Sequence, residues 1–88
     1  MFYKSINERV MGIKLNSDEK NAFIEEYKPF IAAAVEKTTG RYVSYGHDEE
    51  LSIGLMAFDE AIVHYDREKG SFLSFAQNII RRRLIDYY

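Results

Sequence analysis

The sequence predicts an all-α domain, a compact bundle of about four helices. Four segments place apolar residues at three- and four-residue intervals, and none sustains the strict alternation of a half-buried strand. One proline and five glycines are too few for a turn-rich β fold or a disordered tract. Apolar residues make up 47% of the chain and aromatics 15%, enough to fill one core. At 88 residues the chain is expected to form a single domain over 1–88. A chain of this size buries only about 60–65% of its unfolded surface, which leaves no room for a second core.

The first helix is expected over Tyr3 to Lys14, with Ile6, Val10 and Ile13 on one stripe and Gly12 weakening its end. The second opens at Asn16, a good N-cap, with Glu19 three residues on to complete a capping box. Its stripe of Phe23, Tyr27, Phe30, Ile31, Ala34 and Val35 runs to Gly40, a natural stop. Pro29 interrupts this pattern and should kink the helix, because it lacks an N–H and crowds the carbonyl four residues back. The stripe stays in phase across the proline, so one bent helix is expected.

A connector, GRYVSYGH, leads to a third helix starting at Asp48, where Glu49 and Glu50 suit the positive end of the helix dipole. Its core stripe is Leu51, Gly54, Leu55, Phe58, Ala61, Ile62 and Tyr65. Gly54 within that stripe would let another backbone approach closely. The loop DREKG turns the chain, and a fourth helix runs from about Ser71 to the end. Phe72, Leu73, Ala76, Ile79, Ile80, Leu84 and Tyr87 make its broad apolar face.

Composition excludes several functional classes. Without cysteine there is no disulfide scaffold, thiol catalysis or Cys-ligated zinc. Apolar runs such as FIAAAV are too short to span a bilayer and no signal peptide opens the chain, so a cytoplasmic domain is expected. No phosphate-binding glycine loop, nucleophile elbow or HExxH occurs. His47 and His64 are the only histidines; Glu60, one turn before His64, reads better as an i,i+4 contact than as a metal site. Asp59 and Glu60 are adjacent and point apart, unsuited to paired acid–base work. Neither a cofactor nor enzymatic activity is expected.

Charge is distributed unevenly. Residues 1–66 carry seven Lys/Arg against twelve Asp/Glu, whereas residues 67–88 carry five against two. The C-terminal end is therefore suited to an anionic partner. On the last helix, Arg81 and Arg82 point outward, while Arg83 falls near the middle of the apolar face and can snorkel or pair with a carboxylate from another helix. Beside the core face, Phe75, Asn78, Arg82 and Ile85 follow one another at three- and four-residue spacings. An aromatic, an amide, a guanidinium and an aliphatic side chain together suit an unstacked nucleobase. The alternative is that Phe75 and Ile85 merely mark the core boundary. Opposite the core stripe of the third helix lie Glu49, Ser52, Ile53, Met56, Asp59, Glu60 and Val63, an apolar centre with an acidic rim. That pattern suits a protein partner carrying basic groups, although singly exposed apolar residues are ordinary.

The stretch DEELSIGLMAFDEAIVHYDREKGSFLSFAQNIIRRRLIDYY resembles region 2 of a bacterial sigma-70-family RNA polymerase sigma factor. The features are acidic residues opening a helix, Gly54, an apolar stripe into Tyr65, the EKG turn and the aromatic SFLSFA. EEYKPFIAAAVEK resembles the preceding helix of the same region, and IRRRLIDYY with YKPFI is most similar to the sigma-I type.

The resemblance implies an alternative sigma factor with two working surfaces. Glu49, Ser52, Ile53, Met56, Asp59 and Glu60 would dock on the clamp coiled coil of the largest subunit of core RNA polymerase. Phe72, Phe75, Asn78, Arg81, Arg82 and Ile85 would face the −10 promoter element and capture flipped bases of its non-template strand. It also implies a membrane-anchored anti-sigma factor whose cytosolic part sequesters the domain. Ser52 and Ile53 stand where primary sigma factors carry a Gln-Glu pair, implying a less polar polymerase contact. Asn78 and Ile79 replace a tryptophan pair, implying weaker or differently organised melting, with stacking left to Phe75 and Phe72. A −35-binding region is absent from these 88 residues, which implies an N-terminal fragment of a longer factor. Two other functions fit the same residues: a stand-alone helical DNA-binding regulator, and a purely protein-interacting bundle.

Overall fold

The computed structural model describes residues 5–13, 16–40 and 49–87. These form five α-helices: α1 (Ile6–Ile13), α2 (Ser17–Glu26), α3 (Lys28–Thr39), α4 (Glu49–His64) and α5 (Phe72–Tyr87), with a 3-10 turn at Arg67–Lys69. No strand occurs among the described residues, as the apolar spacing predicts. The connector from Arg41, with His47 and the expected cap Asp48, lies outside them, as do residues 1–4, 14–15 and 88.

The expected bent helix is divided in two at Tyr27, whose backbone (φ −100°, ψ 11°) leaves the helical well. The cause is Pro29, which sits in the first turn of α3, where a missing N–H costs nothing. The two helices nonetheless run nearly continuously. The Tyr27 N–H donates to the Phe23 carbonyl at 3.1 Å, and the Tyr27 carbonyl accepts from Ile31 N–H at 3.0 Å. At the start of α2, Asn16 Oδ1 accepts from Glu19 N–H at 3.0 Å, the expected cap. At the end of α3, Gly40 adopts φ 76°, a left-handed conformation that glycine takes without a Cβ penalty.

The core is an aromatic cluster wrapped by aliphatic side chains. Phe23, Phe58, Tyr65 and Phe72 are buried, and Phe72 stands edge-on to both Phe58 (5.4 Å between centroids) and Tyr65 (5.3 Å). The most extensive helix pairing is α4 with α5, and α3 packs on both. Gly54 lets α3 close onto α4, by admitting side chains rather than backbone. A Cβ there would lie 2.6 Å from Val35 Cγ2 and 3.1 Å from Ile31 Cγ2.

The turn from α4 into α5 is held from two directions. The buried Tyr65 hydroxyl donates to the Gly70 carbonyl, and Asn7 on α1 accepts from Phe72 N–H at 2.8 Å, capping α5 across 65 residues of sequence. Gly70 has φ 81° and ψ −140°, a region open essentially to glycine alone. These constraints fix where α5 begins, and so the direction in which each of its side chains points.

Candidate functional site

Two surfaces were expected, one on each of the last two helices, and the structure modifies both. On α5, Asn78, Arg81, Arg82 and Ile85 are exposed, Ile85 to 54%. Among the described residues, neither Arg81 nor Arg82 forms an ion pair, so both guanidinium groups can meet an anion. Phe75 is only half-buried, but its ring lies 5.8 Å from that of Tyr65, at the core boundary. Phe72 corrects the expectation outright: it is 0% exposed and locked among aromatic rings, so no base can stack on it. Tyr87, expected in the core, is instead half-exposed, and its hydroxyl donates to Glu49 Oε2 at 2.5 Å.

Packing adds residues to the α5 surface that its own periodicity could not supply. An open groove of about 590 Å³ runs between the end of α3 and α5, lined by Lys37, Thr38, Gln77, Asn78, Arg81 and Ile85. Among the described residues it holds two cations, two amides, a hydroxyl and one aliphatic side chain, and no acid. Thr38 donates its hydroxyl to the Ala34 carbonyl at 3.0 Å, so toward the groove its oxygen is an acceptor. Such a set can hold phosphate through the cations and bond base edges through the amides.

On α4, Glu49, Ser52 and Met56 are exposed and Ile53, Asp59 and Glu60 partly so; Met56 is 73% exposed. The rim is less acidic than its composition implies. Asp59 pairs with Lys20 on α2 at 3.0 Å. Glu60 accepts two hydrogen bonds from Arg83 on α5, from Nε at 2.9 Å and from Nη2. Arg83 thus takes the carboxylate partner expected for it, and lies at the edge of the apolar face, partly exposed, rather than in its middle. This hydrogen bonding holds the Glu60 carboxyl below the ordinary carboxylate range, helped weakly by His64 one turn on. What α4 presents is an apolar centre around Met56, with cations beside two of its three carboxylates, Asp59 and Glu60.

A second ion pair shapes α2. Arg9 of α1 makes a two-point contact with Glu26, 2.7 Å at its shorter bond, while its guanidinium carbon lies 5.0 Å from the centre of the Phe23 ring. Nothing in the spacing of residues 9 and 26 signals this contact. Among the described residues, no group of three His, Asp or Glu could hold a metal ion.

The order of helices, the buried glycine in α4 and the cationic groove on α5 can now be set beside known proteins. The family described as Sigma-70 region 2 matches residues 23–88. The chain is 62% identical over all 88 of its residues to the RNA polymerase sigma factor SigI7 of Acetivibrio thermocellus, covering 37% of that protein. It is 52% identical over 75 residues to the RNA polymerase sigma factor SigI of Bacillus subtilis, covering 84% of this chain and 30% of that one. The match to SigI of Bacillus anthracis is 46% over 83 residues, covering 93% and 34%. This chain therefore belongs to the sigma-70 region 2 family, and within it to the SigI type. It spans about a third of the length of these relatives.

Proposed function

We propose that this chain is the part of an alternative sigma factor that docks on core RNA polymerase and engages the −10 promoter element. The observation that carries the reading is the cationic groove between α3 and α5, with Lys37 and Arg81 beside Gln77 and Asn78. Lys37 and Arg81 would track the phosphates of the non-template strand, with Arg82 on the neighbouring face. Asn78 and Gln77 would bond the edges of an unstacked base against Ile85. Phe75 would offer a ring edge rather than a free face.

Docking would fall to α4, where Glu49, Ser52, Ile53, Met56, Asp59 and Glu60 face the clamp coiled coil of the largest subunit. With Asp59 and Glu60 already neutralised, the apolar centre around Met56 would carry most of the affinity. The same factor would work in the cytoplasm, where promoter DNA and core RNA polymerase meet. A membrane-anchored anti-sigma factor would hold it inactive by covering one of the two surfaces.

The experiment is titration of labelled protein into core RNA polymerase, then of a single strand bearing the −10 element into the complex. Met56→Glu should abolish the first step, and Arg81→Ala with Lys37→Ala should weaken only the second. Saturable DNA binding without polymerase, insensitive to Met56→Glu, would favour a stand-alone DNA-binding regulator. A folded protein that binds neither would leave a protein-interaction bundle.

A further inference from the structure

The first turn of α5 is held by a helix that lies outside residues 23–88, the stretch matched to region 2. This helix, α1, buries Val10, packs Ile6 and Ile13 against the core, and is tied to α2 by the contact of Arg9 with Glu26. From that anchorage Asn7 reaches α5, where its Oδ1 accepts from Phe72 N–H at 2.8 Å. The donor belongs to the first turn, whose N–H groups find no partner within the helix. By Phe75 the helix is self-sufficient, its N–H bonding the Ser71 carbonyl at 3.0 Å. Beside the Asn7 bond lies an open cleft of about 400 Å³, lined by Ser5, Asn7, Glu8, Tyr65, Arg67 and Gly70.

We infer that Asn7 is a positioning residue for the strand-reading face of α5, acting through the Phe72 N–H. The inference rests on the −10 engagement proposed for α5. The Phe72 ring is enclosed by Phe23, Phe58 and Tyr65, which fixes where α5 begins but not how it is turned about its own axis. The Asn7 bond holds the backbone of that same residue from another helix, and two fixed points remove the roll. A roll of about 10° moves a side-chain tip, about 5–6 Å from the axis, by about 1 Å. Recognition tolerates a misplacement of only about 0.5 Å, and a roll at Phe72 carries through Phe75, Asn78 and Arg82 alike. The fold itself loses less, because the open cleft lets water take the freed N–H.

The test uses the complex with core RNA polymerase. Asn7→Ala leaves the polymerase titration unchanged and weakens binding of a single strand bearing the −10 element by about three- to tenfold. The measurement is made at a temperature where circular dichroism shows the variant folded. Asn7→Asp keeps the acceptor at the positive end of the helix, and binds the strand within about twofold of wild type. Asn16→Ala is the control for stability alone: it removes the α2 cap, lowers Tm comparably and leaves strand affinity unchanged. If Asn7→Ala binds the strand as wild type does, Asn7 is structural only and the inference is wrong, while the −10 reading stands. If Asn7→Asp is as weak as Asn7→Ala, the acceptor is not what matters, and positioning through Phe72 N–H is wrong. If Asn16→Ala weakens strand binding equally, the loss follows stability and the inference fails. If the wild-type complex binds no strand, the −10 reading fails, and this inference with it.

Discussion

Arg83 of α5 grips the Glu60 carboxylate of α4 with two hydrogen bonds, tying the helix that carries the docking face to the helix that carries the cationic groove. A third contact of α5 to α4, Tyr87 to Glu49, lies near the far end of the same pair. The two proposed surfaces are therefore parts of one rigid unit, and substitutions in the ties bear on stability before function.

The first prediction concerns pH. The hydrogen bonds from Arg83 hold the Glu60 carboxyl below its ordinary value, so the pair's contribution is fully present above that ordinary value. It is lost as pH falls through the depressed folded value, because the proton that Glu60 then takes up removes the attraction. Glu60→Gln should lower Tm at neutral pH, and the difference from wild type should shrink toward zero as the pH falls through the depressed value of the Glu60 carboxyl. A difference that persists unchanged in acid would mean that Glu60 acts through packing rather than charge.

Gly54 should tolerate no side chain. In Gly54→Ala the new methyl meets Val35 Cγ2 at 2.6 Å, and both Val35 and Ile31 are fully buried. Overpacking of this kind costs about 1–3 kcal/mol, against a helix-propensity gain of at most about 1 kcal/mol. Urea unfolding should show a net loss, and adding Val35→Ala should recover part of it.

The α4–α5 turn offers a test of backbone constraint. Gly70→Ala places a Cβ at φ 81°, and should destabilise by about 1–3 kcal/mol although the space around it is open. Tyr65→Phe removes the buried hydroxyl that bonds the Gly70 carbonyl, at a cost of about 1 kcal/mol. Thermal unfolding measures both; because the two residues share one hydrogen bond, the double variant should cost less than the sum.

Phe72 and Phe75 should separate structure from function. Phe72→Ala empties the centre of the aromatic core, and should cost about 3–5 kcal/mol in urea unfolding, enough to unfold a small domain. Phe75→Ala, at the core boundary, should leave a folded protein whose affinity for the −10 strand can be measured in the polymerase complex. A Phe75→Ala protein binding that strand as tightly as wild type would remove Phe75 from the interface.

The sequence by itself determined the all-α class, the core stripes of α1, α3 and α4, the Asn16 and Gly40 caps, and the exposed faces holding Met56 and Arg82. Each is a property of one helix, and a period of about 3.6 residues fixes which side chains share a side. For Phe72 the period was the better guide, since it placed the residue on the apolar face of α5, where it is buried, whereas the family resemblance assigned it to DNA. Only the tertiary structure decided that Lys37 and Thr38 join Asn78 and Arg81 in one groove. It alone paired Asp59 with Lys20, Glu60 with Arg83 and the start of α5 with Asn7. The physical reason is that periodicity sets direction around a helix's own axis. Which neighbour lies there depends on how helices distant in sequence pack, and that is settled by the fit of residues such as Gly54, Val35 and Ile31.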